Sequence, residues 1–204
     1  SGFYWLQYVL EFTNFEIIKE QVNQKILEID NLHPNLPPFE IANHYGVIFD
    51  LPMAFLEIFF NINKSSDQFY LRHLSNFIVF FISGYLFFLL IKERVKINFI
   101  AILACLFYLL SPRIFGNSFF DAKDLLFLSL VTITFYFYFN YSKKKNFNTL
   151  FWFALFAAIS TSTRIMGLFF PISFFLISIF EIINKKYNRK IIRDLLIFFL
   201  LFSL

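Results

Sequence analysis

Residues 111–124, Ser-Pro-Arg-Ile-Phe-Gly-Asn-Ser-Phe-Phe-Asp-Ala-Lys-Asp, place two carboxylates and two cations between long apolar runs. The carboxylates belong to Asp121 and Asp124, and the cations belong to Arg113 and Lys123. A carboxylate here could act as a general base or help to hold a cation, and Arg or Lys could pair with phosphate. Acidic residues also suit the N-terminal end of a helix, so a purely structural role stays equally open.

Four other charged residues are candidates for the same chemistry. Arg164 lies between Thr161-Ser162-Thr163 and an apolar run, and a near-membrane Arg in that setting is expected to bind an anion or a carboxylate. Arg72 begins an apolar run, where a snorkelling role is equally plausible. Asp50 precedes an amphipathic segment, and Glu57 within that segment is expected on its solvated face. The three histidines are not at metal-ligand spacing, and we treat them as ordinary polar residues.

The composition defines the elements that must position these residues. The chain is 58% hydrophobic and 23% aromatic, with a mean hydropathy of +0.64, and a soluble domain of this length could not bury so much apolar surface. The apolar runs do not alternate as barrel strands do. The single cysteine excludes a disulfide within the chain. We therefore predict an all-α protein, a polytopic transmembrane helical bundle.

The layout predicts two regions, an extracytoplasmic loop region at 1–73 and a transmembrane region at 74–204. The first region is expected to hold interfacial amphipathic helices, one around residues 16–29 that is broken by Pro34 to Pro38, and one at 51–62 with Pro52 in its first turn. The second region is expected to hold about six spans, at roughly 75–91, 97–112, 124–141, 149–165, 167–183 and 191–204.

The distribution of the basic residues then predicts which loops lie on which side of the membrane. Three lysine-rich loops, around Lys92, Lys143 and Lys190, recur every second span, whereas the alternate loops hold fewer cations. The positive-inside rule puts the lysine-rich loops in the cytoplasm, which also accounts for a pI of 9.1 without a nucleic-acid partner. The charged candidates named above therefore share the extracytoplasmic side, where carboxylates and cations together suit an enzyme that uses a lipid-linked phosphate.

Four segments in this order resemble the membrane part of the GT-C glycosyltransferases of the dolichyl-phosphate-mannose protein mannosyltransferase and aminoarabinose transferase type. Residues 45–52, Tyr-Gly-Val-Ile-Phe-Asp-Leu-Pro, are similar to the first outer loop of that family, and residues 71–74, Leu-Arg-His-Leu, to its Arg-Leu at the start of the next span. Residues 111–125 resemble the outer turn that ends in Asp, and residues 163–167, Thr-Arg-Ile-Met-Gly, resemble its Thr-Lys-Gly segment.

The resemblance implies an enzyme that moves a sugar, with inversion, from a polyprenyl-phosphate donor to an extracytoplasmic protein, lipid or glycan. It implies that Asp50 is the catalytic carboxylate within this chain and that Asp124 is the acidic residue of the next outer turn. It places Arg72, Lys123 and Arg164 near the donor phosphate or in support of the loop. It names no certain cofactor and leaves a divalent cation open.

The sequence also departs from the pattern of the family. The Asp-Glu pair that follows the first span of the family has no counterpart, and Leu51 replaces an expected Lys. We therefore expect the chain to be a fragment whose main catalytic base lies before Ser1 and which is inactive alone. The rival hypothesis is a non-enzymatic transporter or lipid flippase, which would need polar residues deep in its spans or broken helices at the midplane.

Overall fold

The computed structural model describes residues 6–7, 9–10, 16–32, 47–62, 64–117, 123–184 and 189–203, and these residues contain helices and no strand, which confirms the all-α prediction. In chain order the helices are α1 (Glu16–Leu32), α2 (Val47–Phe59), α3 (Ser65–Val95), α4 (Asn98–Leu110), α5 (Pro112–Asn117), α6 (Asp124–Lys144), α7 (Phe147–Thr163), a 3₁₀ turn (Ile165–Leu168), α8 (Phe169–Asn184) and α9 (Arg189–Phe202).

The chain divides into two compact units, Ser1–Leu74 and Ser75–Leu204, which are described separately here. The predicted regions 1–73 and 74–204 were defined by the side of a membrane on which they lie. These two units do not address that question, so the assignment stays a prediction. The break expected at Pro34 to Pro38 lies outside the described residues.

The first unit has a small apolar core between its N-terminal helical residues and helices α1 and α2. Leu6, Leu10, Val22, Ile26 and Ala54 are buried together there. Val22 and Ile26 are four residues apart, so they lie on the same face of α1, as the helical spacing predicts. The core thus fixes one face of α2 toward α1, and that face is the one that carries the charged site described below.

Helix α2 begins earlier than the sequence predicts. It starts at Val47, so Pro52 lies inside the helix, and the prediction that Pro52 occupies its first turn was wrong. Asn61 then takes a positive φ of 51°, a conformation that Asn tolerates better than most residues. The N–H of Ile62 donates to the carbonyl of Glu57 at 2.8 Å. This turn ends the helix, and the earlier start at Val47 puts Asp50 in its first turn.

Among the described residues, a helix occupies the position of each of the six predicted spans. Within the same residues, three helical segments are long and apolar enough to cross a membrane, namely Ser66–Val95, Asp124–Lys144 and Ile165–Asn184. Helices α4 and α7 are apolar but have 13 and 17 residues, which give lengths of about 20 and 26 Å against a hydrocarbon core of about 30 Å. Helix α4 stops because Ser111 precedes Pro112 and takes an extended ψ of 120°, as residues before proline prefer.

The core of the second unit is built from aromatic side chains around α7. Phe153 is 1% exposed and Phe198 is 0% exposed, and their rings stack with centroids 4.9 Å apart. Phe170 and Phe174 of α8 pack against the same cluster. Helices α6 and α7 form an antiparallel hairpin, which turns at Lys145, where φ is 49°. The hairpin brings the start of α6 and the end of α7 to the same end of the unit.

Candidate functional site

The lysine-rich ends of three helices in the second unit are joined by direct contacts. Lys143 pairs with Glu93 at 2.5 Å, which joins the ends of α6 and α3. Lys145 pairs with Glu181 at 2.9 Å, which joins the α6–α7 turn to α8. These contacts gather the basic residues at one end of the unit, in agreement with the alternation of the loops that was used to predict sidedness.

The opposite end of the hairpin carries an ion pair between two of the predicted site residues. The guanidinium of Arg164 contacts the carboxylate of Asp124. Asp124 is the first residue of α6, and Arg164 directly follows α7 in an extended conformation with φ of −148° and ψ of 139°. The two side chains are 41% and 56% exposed, so an anion from outside could reach the guanidinium.

The turn after Arg164 depends on a close approach of Gly167 to the end of α7. The N–H of Gly167 donates to the carbonyl of Arg164 at 2.8 Å. A Cβ at Gly167 would lie less than 3.0 Å from backbone atoms of Ser160 and Thr161. Backbone atoms cannot rotate away as the end of a side chain can. The absence of a side chain at this position therefore lets the 3₁₀ turn fold onto α7 and hold the Arg164 backbone in place.

Two other predicted residues belong to the loop before α6. Lys123 is exposed at the N-cap position of that helix, and its carbonyl accepts the N–H of Phe127 at 3.0 Å. Asp121 lies outside the described residues. Asp124 occupies the first turn of α6, where a carboxylate is favourable to the helix dipole, so its structural role and its pairing with Arg164 occur together.

The first unit holds a second cluster, formed by Asp50, Glu57 and Arg72. Asp50 and Glu57 are seven residues apart on α2, which puts them on one face, and Arg72 comes from the first part of α3. Arg72 Nε donates to Glu57 Oε1 at 2.6 Å, and Arg72 Nη1 donates to Asp50 Oδ1 at 3.4 Å. The guanidinium is thus shared between two carboxylates, of which Glu57 has the shorter contact.

Burial separates the two carboxylates further. The Glu57 side chain is 1% exposed, against 23% for Asp50 and 32% for Arg72. The prediction that Glu57 lies on a solvated face was therefore wrong. Met53 and Ala54 are buried on the same stripe of α2, four and three residues before Glu57. That spacing is the sequence signal that could have identified Glu57 as an inward-facing residue.

The structure thus brings together the predicted residues in two pairs, Asp50 with Arg72 and Asp124 with Arg164. Each pair combines a cation that can bind a phosphate with a carboxylate that can accept a proton or a hydrogen bond. That all four residues share the extracytoplasmic side stays a prediction. Within the described ranges, no three His, Cys, Asp or Glu side chains form a group that could hold a metal ion.

An open apolar groove lies at the end of α4 that leads to Ser111. It has a volume of about 580 Å³ and is lined by Leu103, Leu106, Phe107, Leu110, Ser111 and Pro112. Its wall is mainly apolar, so it suits a hydrocarbon chain better than a polar ligand.

Hydroxyl groups connect three helices about midway along α3. Ser83 and Tyr108 are hydrogen-bonded at 3.0 Å, and Tyr108 contacts Thr132 at 3.4 Å. Ser83 and Thr132 also donate to backbone carbonyls of their own helices, at 2.7 and 2.9 Å. Contacts of this kind join helices within bilayers.

Comparison of the chain with known protein families, with curated proteins and with solved structures finds no match. The resemblance to GT-C glycosyltransferases therefore rests on the quoted segments alone.

Proposed function

We propose that the chain is an integral-membrane protein whose six apolar helices cross the bilayer with their lysine-rich ends in the cytoplasm. Large apolar side chains face outward along these helices, for example Phe107, which is 70% exposed, and Phe180, which is 67% exposed. On α6, 19 residues separate Asp124 from Lys143, a rise of about 29 Å. This distance is close to the thickness of the hydrocarbon core, about 30 Å.

The activity that we propose is that of a membrane glycosyltransferase of the GT-C type. It transfers a hexose or pentose from a polyprenyl-phosphate donor to a hydroxyl of an extracytoplasmic protein, lipid or glycan. The observation that carries the proposal is the pairing of both predicted arginines with predicted carboxylates, Arg72 with Asp50 and Arg164 with Asp124. Such pairs provide phosphate-binding cations beside groups that can take up a proton.

In the proposed reaction the acceptor oxygen attacks the anomeric carbon as the bond from that carbon to the phosphate oxygen breaks. A carboxylate accepts the hydroxyl proton, and the polyprenyl phosphate leaves with the bonding electrons. Asp50 is the candidate for that carboxylate within this chain. Arg72, beside Asp50, would stabilise the charge that grows on the leaving phosphate. Lys123 and Arg164 are candidates for binding the donor phosphate within the second unit, where Asp124 would orient Arg164. The groove at the end of α4 offers an apolar surface to the prenyl chain.

This function places the protein in a bacterial inner membrane or an ER-type membrane, with its active face outside the cytoplasm. The rival function, a transporter or lipid flippase, needs polar groups that face a pathway. The hydroxyls of Ser83, Tyr108 and Thr132 are instead bonded to one another and to backbone carbonyls. They therefore support helix packing rather than transport.

The test is sugar transfer by the protein at its natural length, reconstituted in liposomes and supplied with polyprenyl monophosphates that carry labelled mannose, glucose or aminoarabinose. We expect release of polyprenyl phosphate, and we expect Asp50→Ala and Arg164→Ala to lower the rate at least tenfold, the effect of about 1.4 kcal/mol in the barrier. Asp67→Ala, at an exposed acid in the first turn of α3, is the matched control and should retain the rate.

Two results would count against these assignments. If Asp50→Ala and Arg164→Ala stay within about twofold of the unchanged protein, the residues of the site are wrong. If the unchanged protein releases no polyprenyl phosphate from any donor, yet moves lipid or solute across the bilayer, the rival function is correct.

A further inference from the structure

Glu57 is the most deeply buried charged residue of the first unit for which the structure gives a contact, and the resemblance assigns no role to it. The residue is 2% exposed. One carboxylate oxygen, Oε1, accepts the short bond from Arg72 Nε. The other, Oε2, has no hydrogen-bond partner among the residues that the structure describes. The buried charge of Glu57 is therefore balanced through one oxygen and by the guanidinium of Arg72.

A buried carboxylate is tolerated when a cation compensates it, and it becomes strongly destabilising when that cation is removed. Glu57 thus ties Arg72 in place far more firmly than a solvent-exposed partner would. The bond to Glu57 uses Nε, the guanidinium nitrogen nearest the backbone, and Nη1 is directed toward Asp50. The Arg72 side chain is 32% exposed, so it is not closed off from an incoming anion.

The two contacts of Arg72 also differ in how easily they are exchanged. The contact with Glu57 is 2.6 Å long with a carboxylate that is 1% exposed, whereas the contact with Asp50 is 3.4 Å long with a carboxylate that is 23% exposed. Short charge-assisted hydrogen bonds in dry surroundings are the strong ones. An anion that approaches Arg72 would therefore displace Asp50 rather than Glu57.

We propose that Glu57 is a positioning residue, which holds Arg72 through Nε so that a substrate phosphate can take the place of Asp50 at Nη1. The substrate part of this proposal rests on the proposed function. The holding of Arg72 by Glu57 does not, and it can be measured without any substrate.

The first experiment is thermal unfolding of the detergent-solubilised protein in a set of single and double variants. Arg72→Ala should lower Tm, because it leaves the carboxylate of Glu57 buried without its cation. Glu57→Gln removes that charge, so the double variant should recover most of the lost Tm. Asp50→Asn in the Arg72→Ala background is the matched control and should recover little, because the Asp50 carboxylate is partly exposed. Equal recovery by the two variants, or none by Glu57→Gln, would overturn the holding of Arg72 by Glu57.

If Arg72→Ala yields no folded protein, the same comparison is made on the yield of monodisperse protein in size-exclusion chromatography. Glu57→Gln should then restore the yield where Asp50→Asn does not, and failure of Glu57→Gln to do so would overturn the proposal.

The second experiment measures transfer from the polyprenyl-phosphate sugar that the unchanged protein uses. Glu57→Gln should lower kcat about tenfold when Arg72 is present and less than about twofold when Arg72 is already Ala, since residues that act through one another are not additive. Equal effects in the two backgrounds would overturn the positioning role. If no donor is used, the proposed function and the displacement of Asp50 fall together, while the unfolding experiment still decides whether Glu57 holds Arg72.

Discussion

Replacing Gly167 by alanine is the substitution whose effect can be worked out most directly from the structure. The added Cβ would lie less than 3.0 Å from backbone atoms of Ser160 and Thr161, so the 3₁₀ turn must move away from α7. Overpacking of this kind costs about 1–3 kcal/mol. The shift also weakens the bond from the N–H of Gly167 to the carbonyl of Arg164, which adds about 1 kcal/mol. We therefore expect Gly167→Ala to lower the free energy of unfolding by about 2–4 kcal/mol.

The measurement is an SDS titration of the purified protein that follows the loss of helix packing. Gly116→Ala is the matched control, because Gly116 lies in helix α5 and an added Cβ there would have no atom of the described residues within 4 Å apart from its chain neighbours and its own helix backbone. This control should be neutral or stabilise the protein by up to about 1 kcal/mol, since alanine is the better helix former. If the two variants unfold within about 0.5 kcal/mol of each other, within the range of ordinary surface substitutions, the close approach of the turn to α7 is wrong.

The same titration separates the turn from the ion pair that it supports. Asp124 and Arg164 are 56% and 41% exposed, and exposed ion pairs contribute only about 0–1 kcal/mol to stability. Asp124→Asn should therefore unfold almost like the unchanged protein, whereas Gly167→Ala should not. A large loss in Asp124→Asn would mean that the ion pair, rather than Gly167, holds this end of the hairpin.

Two further predictions concern the lysine-rich end of the second unit and the topology of the chain. Tyr141→Phe removes a 3.0 Å hydrogen bond to Asp194, which is 5% exposed, and should lower the free energy of unfolding by about 1.5–3 kcal/mol in the same titration. The control Tyr85→Phe, at a 58% exposed tyrosine, should lower it much less. Equal losses in the two variants would contradict the prediction. With the single native cysteine replaced by alanine, Arg113→Cys should react with a membrane-impermeant maleimide from outside sealed cells and Lys144→Cys only after lysis; the reverse pattern would invert the topology.

The positions of the helices were predictable because hydropathy along the chain is enough to locate apolar segments. The pairing of Asp124 with Arg164 was not predicted, although the chain contains the information. Asp124 lies 21 residues before the turn at Lys145, and Arg164 lies 19 residues after it. Two antiparallel helices of similar rise therefore bring these residues to the same level. The sequence alone does not show that α6 and α7 are neighbours. Their pairing depends on the aromatic packing around Phe153.

Lengths were harder to predict than positions. Helix α3 begins at Ser65, ten residues before the span expected at 75–91, because a helix can continue past the apolar run into polar sequence. Arg72 therefore lies within the helix rather than in a loop. This placement puts its side chain in register with α2 and makes the contacts with Asp50 and Glu57 available.

The burial of Glu57 was missed because α2 carries large apolar side chains on its exposed face as well as on its buried face. Phe55 is 46% exposed and Phe59 is 71% exposed, with their rings stacked at 6.3 Å, while the carboxylate of Glu57 is turned inward. In water this arrangement exposes apolar surface and buries charge, and both are unfavourable. At the surface of a bilayer the aromatic face is stabilised by lipid, and the inward face is free to hold a compensated charge. The orientation of α2 thus supports an interfacial location for this helix, with Glu57 and Arg72 on its sheltered side.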